Sequence, residues 1–243
     1  MIDRMVEWIK KQVGKAGAKG CVFGLSGGLD SSVVGALCQR AFPKSCLGLL
    51  LPCFSREQDL RHAREAAERF SISTELIDLS PALNQLYLQL EGKPYDGREM
   101  NLAIANLKPR LRMTALYYHA NRRNYLVVGT GNRSEAVMGY CTKYGDAGVD
   151  ILPLGGLLKS QVREIAKELG VPPSVIEKAP SAGLWEGQTD EGEMGITYAE
   201  LDRIIAGMEK NDLAGLDRKL VEKVRARKTR TEHKRCFPLA FIP

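Results

Sequence analysis

The ten residues Phe23-Gly24-Leu25-Ser26-Gly27-Gly28-Leu29-Asp30-Ser31-Ser32 limit what this chain can fold into more than any other stretch. Just before and into them, Cys21 to Leu25 is a short apolar run of the kind buried in a parallel sheet. Downstream, Ser31 to Ala41 carries Val33, Val34 and Leu37 at helical spacing, with Phe42 following. Strand and helix are thus joined by a serine, two glycines and an acid. Glycines let the backbone approach a ligand closely, and N–H groups at a helix N-terminus attract anions. A phosphate is the natural guest, with Ser26, Ser31 and Ser32 as additional donors. Asp30 suits such a site only with a cation between it and the phosphate, which marks it as a Mg²⁺ ligand. The loop has no lysine in the G-x-x-x-x-G-K-[ST] position, and the G-x-G-x-x-G spacing is absent.

Around this loop, strand and helix signals alternate. Ile2, Val6, Ile9 and Val13 space as the buried stripe of an N-terminal helix. Cys46 to Leu51 predicts a second strand, Glu57 to Phe70 a helix, and Thr74 to Leu79 a third strand. Pro81 opens a helix running to about Leu90, and Gly92 to Gly97 is a polar loop. Asn101 to Ala120 predicts a long helix that Pro109 either kinks or truly begins. Tyr125 to Val128 is a fourth strand, and Ile151 to Leu154 either a short fifth strand or a buried turn. Lys159 to Leu169 predicts a helix stopped by Gly170, followed by Pro172 and Pro173. Lys178 to Gly195, rich in glycine and acids, predicts a long functional loop or mobile lid. Two helical segments follow, Tyr198 to Met208 and Leu216 to Val224, then a basic tail. The βαβαβ order predicts an α/β fold, a doubly wound parallel sheet flanked by helices, with ligands beyond the strand C-termini.

The 243 residues, 44% hydrophobic and 26% charged, suit a single domain spanning 1–243 with a core of good size. No apolar run approaches the ~20 residues of a membrane span, and Met1-Ile2-Asp3-Arg4 does not begin a signal peptide. A cytoplasmic protein is expected. The six cysteines lack any C-x-x-C pair, which disfavours zinc, iron–sulfur and disulfide frameworks. Much of the net charge of +6 lies between Arg218 and Arg235, so it reads as a solvated face rather than a nucleic-acid surface.

A second constellation stands at the end of the fourth strand, Gly129-Thr130-Gly131-Asn132-Arg133-Ser134-Glu135. In a doubly wound sheet that end lies close to the end of the first strand. Glu135 can then reach the same phosphates as Asp30, and two hard carboxylates suit a Mg²⁺ that keeps waters. Alternatively, Glu135 only caps a helix, with Ser134 before it. The Ser-Gly-Gly-x-Asp-Ser loop resembles that of the N-type ATP pyrophosphatases. With G-T-x-x-x-x-E, Lys143-Tyr144-Gly145-Asp146 followed by Asp150, the Leu157-x-Lys159 turn, Asp190-Glu191 and Thr231-Glu232-His233-Lys234-Arg235, the resemblance becomes close. In this order the motifs resemble those of the ammonia-dependent NAD⁺ synthetases.

That resemblance implies an adenine nucleotide alpha-hydrolase-like fold and a two-step amidation. ATP would adenylate the nicotinate carboxylate of deamido-NAD⁺ with loss of pyrophosphate. Ammonia would then displace AMP, giving NAD⁺. Carried over residue by residue, Gly24, Leu25, Ser26, Gly27, Gly28, Leu29, Asp30 and Ser31 would hold ATP, with Thr130, Lys159 and Ser181. Asp30 and Glu135 would hold Mg²⁺, and Arg110, Lys143, Asp150, His233 and Lys234 would bind deamido-NAD⁺. Lys159 would meet the charge that grows as pyrophosphate departs, and Asp146 falls near the reacting carboxyl, as a partner for ammonium. The resemblance also implies a homodimer.

Two positions depart from the family pattern. Cys141 stands where many relatives have a second aromatic before T-K-Y-G-D, which thins stacking on the nicotinate ring. Gly183 replaces the acid of P-[ST]-A-[DE]-L, so that acid's contact is lost or passes to Asp190 or Glu191. With one helix ahead of the phosphate loop there is no room there for an amidase, so free ammonia is the expected nitrogen source. The competing readings are a tRNA-modifying adenylating enzyme, against which the lack of a C-x-x-C pair counts, and a non-enzymatic nucleotide-binding module.

Overall fold

The computed structural model of the protein describes residues 1–97, 101–185, 187–238 and 240–241. Residue 186, inside the expected lid, lies outside them. The chain opens with α1 (Ile2–Lys15), whose Ile2, Val6, Ile9 and Val13 are buried along one stripe, as their spacing requires. Then β1 (Gly20–Gly24), α2 (Leu29–Ala41), β2 (Cys46–Leu50), α3 (Glu57–Phe70) and β3 (Ser73–Leu76) alternate. Next come α4 (Ser80–Glu91), α5 (Leu102–Arg123), β4 (Tyr125–Val127) and α6 (Arg133–Met138). The rest is helical: α7 (Lys159–Leu169), α8 (Pro173–Ile176), α9 (Asp190–Met194), α10 (Tyr198–Lys210), α11 (Arg218–Arg230) and a 3₁₀ turn at Glu232–Lys234.

The strands are parallel in the order β3-β2-β1-β4. The chain therefore runs outward from β1 to β3, then returns to lay β4 on the other side of β1. That reversal opens a crevice beyond the C-termini of β1 and β4, the place where ligands bind in open α/β sheets. Alternate strand residues feed opposite layers. Cys21, Phe23 and Leu25 pack with α1, α2, α3 and α7, whereas Val22, Leu47, Leu49 and Val127 pack with α4 and α5. Burial on both faces is why β1 and β2 read as unbroken apolar runs, whereas β3 at the edge is largely exposed. A further cluster, including Met138, Met194, Leu201, Ile204 and Val224, joins α6, α9, α10 and α11.

Several local expectations are refined. Pro109 neither begins nor ends α5; the helix starts at Leu102, with the Asn101 side chain accepting from the Ala103 N–H at 2.7 Å. The segment at Ile151 is no full strand but a single parallel bridge to Val128. The expected loop from Lys178 to Gly195 is shorter than its composition suggests. Its last part folds into α9, capped by the Thr189 hydroxyl, which accepts from the Gly192 N–H.

The turn after β1 is held by sterics as well as hydrogen bonds. Gly27 has φ +74°, and a β-carbon there would stand 2.2 Å from the Asp59 carbonyl oxygen of α3. Both the left-handed backbone and the lack of space demand glycine. Gly27→Ala should therefore destabilise the protein by about 2 kcal/mol, lowering its Tm by about 4–8 °C in thermal unfolding.

Candidate active site

The site is built where the N-termini of α2, α6 and α7 meet at the end of the sheet. Each helix brings one functional side chain in its first turn: Asp30, Glu135 and Lys159. Lys159 is buried, and its ammonium contacts Asp30 Oδ2 and lies 3.3 Å from Glu135 Oε1. Burial opposes that positive charge, but the two carboxylates outweigh it and hold the ammonium above the usual lysine pKa. Burial pushes the Glu135 carboxyl up to about 7, against the pull of Lys159 and with the Asp30 charge adding to the rise.

Glu135 caps its own helix and also faces Lys159. Its Oε2 accepts from the Asn132 N–H at 3.2 Å while Asn132 Oδ1 accepts from the Glu135 N–H at 3.0 Å, a capping box that leaves Oε1 facing Lys159. The cap residue is Asn132, not Ser134. Asn132 also donates through Nδ2 to Asp30 Oδ1 at 3.2 Å, so one side chain ties both loops together. Ser134 has a different task. Its hydroxyl accepts from the Lys159 N–H at 3.0 Å and donates to Asp202 of α10, whose other oxygen accepts from the Ser160 N–H at 2.8 Å. These bonds fix the start of α7 and hence Lys159.

The Gly-rich loop is held open by its own serines. Ser31 Oγ accepts from the Ser26 N–H at 3.2 Å and donates to the Gly28 carbonyl, to which Ser32 Oγ also donates. The N–H groups in the first turn of α2 have no acceptor within the helix and so make an edge of the kind that attracts anions. Thr130 lies in the loop between β4 and α6. Ser181 lies in the segment before α9, its hydroxyl accepting from the Gly183 N–H at 3.1 Å.

Most of the expected dinucleotide contacts form a second group. Arg110 of α5 donates to the Lys143 carbonyl at 3.5 Å, and Lys143 Nζ donates to the His233 carbonyl at 2.5 Å. Lys234 Nζ donates to the carbonyls of Gly139 and Cys141 at 2.8 and 2.7 Å. Arg235 reaches the Ala136 carbonyl and Arg227 that of Met138, so cations from α11 and the turn after it cap the end of α6. Asp146 accepts from the Thr142 N–H at 2.8 Å. It is exposed, yet the protein around its carboxyl desolvates it enough to push it above the usual range. Asp150 is engaged elsewhere: its two oxygens accept from the Tyr117 hydroxyl at 2.9 Å and the Val127 N–H at 2.8 Å, fixing the edge of β4. Cys141 links the two groups. Burial and the charges of Asp146 and Glu135 push its thiol up to about 11, so it is a neutral wall residue rather than a nucleophile.

Tyr198 and Lys108 carried no signal in the sequence, and Asp190 only that of its motif. Tyr198 of α10 offers its ring to Lys159 at 5.1 Å and its hydroxyl to Asp190 Oδ2 at 2.9 Å, with Glu135 Oε1 at 3.4 Å. Asp190 is buried, and among the described residues its Oδ1 has no hydrogen-bond partner. Lys108, buried in α5, donates to the Leu184 carbonyl at 2.6 Å and so pins the segment before α9. Asp190 and Glu191 are held by Tyr198, whereas Asp59 Oδ2 lies 3.6 Å from where a β-carbon of residue 183 would stand.

Known proteins with this arrangement are consistent with one another. The family model for NAD synthase matches residues 1–238. A curated NH(3)-dependent NAD(+) synthetase of Syntrophomonas wolfei is 45% identical over 245 residues, covering 100% of this chain and 96% of its own length. Among solved structures, NMN synthetase from Francisella tularensis superposes with a TM-score of 0.89 at 38% identity, over 100% of this chain and 96% of that one. The NH3-dependent NAD synthetase from Campylobacter jejuni, in complex with the nitrate ion, does so at 0.84 and 28% identity, over 99% and 97%. A match along nearly all of the chain, in sequence and in structure, leads to one conclusion: this chain belongs to the NAD synthase family.

Proposed function

We propose that the chain, with residues 1–243 acting as one domain, amidates the nicotinate carboxylate of deamido-NAD⁺ with free ammonia at the expense of ATP. The observation that carries this reading is the convergence of Asp30, Glu135 and Lys159 beside an anion-binding loop. A carboxylate is a poor electrophile until its oxygen becomes a leaving group. Transfer of AMP from ATP to that oxygen releases pyrophosphate and creates an acyl-adenylate. Ammonia then adds to the acyl carbon, AMP leaves with the bonding electrons, and a proton passes to a base.

In this reading Gly24 to Ser31, Thr130 and Ser181 hold the nucleotide, and Lys159 neutralises the departing pyrophosphate. Asp146, near Lys234 and open to solvent, receives ammonium and takes its proton. Arg110, Lys143, His233 and Lys234 supply positive charge for the dinucleotide phosphates, and Asp150 orders the wall behind them. The donor set suits magnesium: two hard carboxylates from separate loops, with Asp190 nearby, outnumber the single ammonium of Lys159. Asp30 and Glu135 would hold the ion, which would supply charge neutralisation along the triphosphate. The segment before α9 would shield the acyl-adenylate from water. We further infer a homodimer that works in the cytoplasm. Among the described residues no helix is long and apolar enough to cross a membrane. The relatives' names favour this reaction over adenylation of a tRNA base.

A second reading concerns substrate length, because the Francisella neighbour is called an NMN synthetase. The same chemistry would then act on the mononucleotide. The curated relatives favour the dinucleotide. Offering nicotinate mononucleotide and deamido-NAD⁺ in parallel, with ATP, Mg²⁺ and ammonium, should give the higher kcat/KM for deamido-NAD⁺. The reverse order would assign the mononucleotide.

Asp30→Asn and Glu135→Gln each remove one charge and little volume. Each should lower kcat by about 100-fold or more while the circular dichroism spectrum stays unchanged. Near-normal rates at saturating Mg²⁺ would exclude a shared site. The nitrogen source has its own test. Ammonium has no lone pair, so at limiting total ammonium the rate should climb with pH through the neutral range. Glutamine, with ammonium removed, should yield no NAD⁺ from this chain.

A further inference from the structure

Lys178, two residues beyond α8, touches the Gly-rich loop directly. Its Nζ donates to the Gly27 carbonyl at 3.4 Å and pairs with Asp59 Oδ1 at 2.5 Å. Both side chains are about four-fifths buried, with 22% and 20% exposure. Asp59 stands in the first turn of α3, the turn whose backbone presses on Gly27. One cluster thus contains a loop carbonyl, an ammonium and a carboxylate, all beside the N–H groups that open α2. Among the described residues the Asp59 carboxylate accepts from Lys178 alone. Beyond that ammonium, the carboxylate's charge is felt by the Arg112 guanidinium of α5. Among the described residues no second acid pairs with the ammonium, and Gly183 brings no side chain to the spot next to Asp59 Oδ2.

We propose that Lys178 is a ligand of the pyrophosphate half of ATP, and that Asp59 competes with phosphate for the same ammonium. The inference rests on reading the Gly-rich loop as the ATP phosphate site. An ammonium has three donors, and here two are matched by Gly27 and Asp59. A triphosphate seated on the loop brings several anionic oxygens close to Gly27. Multiple charges on one group attract the ammonium more strongly than a single carboxylate does. Lys178 and Ser181 lie on the same segment, so a phosphate that draws in Lys178 also draws Ser181 toward the nucleotide. Lys159 and Lys178 would then hold the leaving group from two separate elements, α7 and the segment after α8.

The test is the affinity for inorganic pyrophosphate with Mg²⁺, measured by calorimetry on the intact protein and as product inhibition of turnover. Lys178→Met should weaken pyrophosphate binding about tenfold or more, and Lys178→Arg should restore most of it. Lys178→Gln serves if the methionine variant does not fold. In turnover, KM for ATP should rise while KM for deamido-NAD⁺ stays put. Asp59→Asn separates the proposal from a structural latch. Freed of its competitor, Lys178 should bind pyrophosphate as tightly as before or more tightly. Unchanged binding in Lys178→Met, or an Asp59→Asn variant weakened to the same degree, would overturn the proposal. Calorimetry needs no dinucleotide. A Lys178 effect in a protein that makes no NAD⁺ would fault the proposed substrate alone, whereas a wild-type protein that does not bind pyrophosphate would fault the loop assignment and this proposal with it.

Discussion

A buried ammonium needs a reason to stay charged, and for Lys159 the reason is the pair of carboxylates from Asp30 and Glu135. The three residues belong to the first turns of three helices. An acid is favoured there by the helix dipole, while a lysine at the first position of α7 is opposed by its own helix. Lys159 is therefore dependent on its neighbours in a way Asp30 and Glu135 are not. Removing a partner from a buried ion pair costs about 3–5 kcal/mol, because the remaining charge is uncompensated. The positions of α2, α6 and α7 are thus coupled electrically as well as by apolar packing. Asn132, which bonds Asp30 and caps α6, adds a neutral link between the same loops.

That arrangement follows from the strand order. A sheet running β3-β2-β1-β4 forces the chain to cross over between β1 and β4, so the loops that follow those strands face each other. Single-residue changes elsewhere leave this untouched. What they can alter is the ring of contacts that supports the loops: Asp202 on the start of α7, Tyr198 beneath Lys159, and Lys108 on the segment before α9.

The helices and strands were legible because their signals are local. The stripe Ile2, Val6, Ile9, Val13 and the run from Lys159 to the Gly170 stop each carry their period and boundary within a few residues. The pairing of Asp30 with Glu135 was legible too, since it needs only the parallel alternation and a Gly-rich turn. Other features depend on partners far apart in the chain. Lys178 and Asp59 are separated by 119 residues, and nothing around either one announces the other. Tyr198 read only as an apolar helix start, although its ring and hydroxyl serve Lys159 and Asp190. Asp150 resembles a ligand contact by motif, and the bonds its oxygens accept from Tyr117 and the β4 backbone were not announced there. The helix α9 was hidden by its composition, because a five-residue helix containing glycine is made by its Thr189 cap and by burial of Met194.

The cations that cap α6 also set a timetable. Arg227, Lys234 and Arg235 reach carbonyls lying 89 to 99 residues earlier in the chain. At a synthesis rate of about 5–20 residues per second, that interval is roughly 5–20 s. The sheet, α2 and the Gly-rich loop can therefore form on the ribosome while the end of α6 still lacks its caps. A nascent chain would thus shape its Gly-rich loop well before the end of α6 is capped.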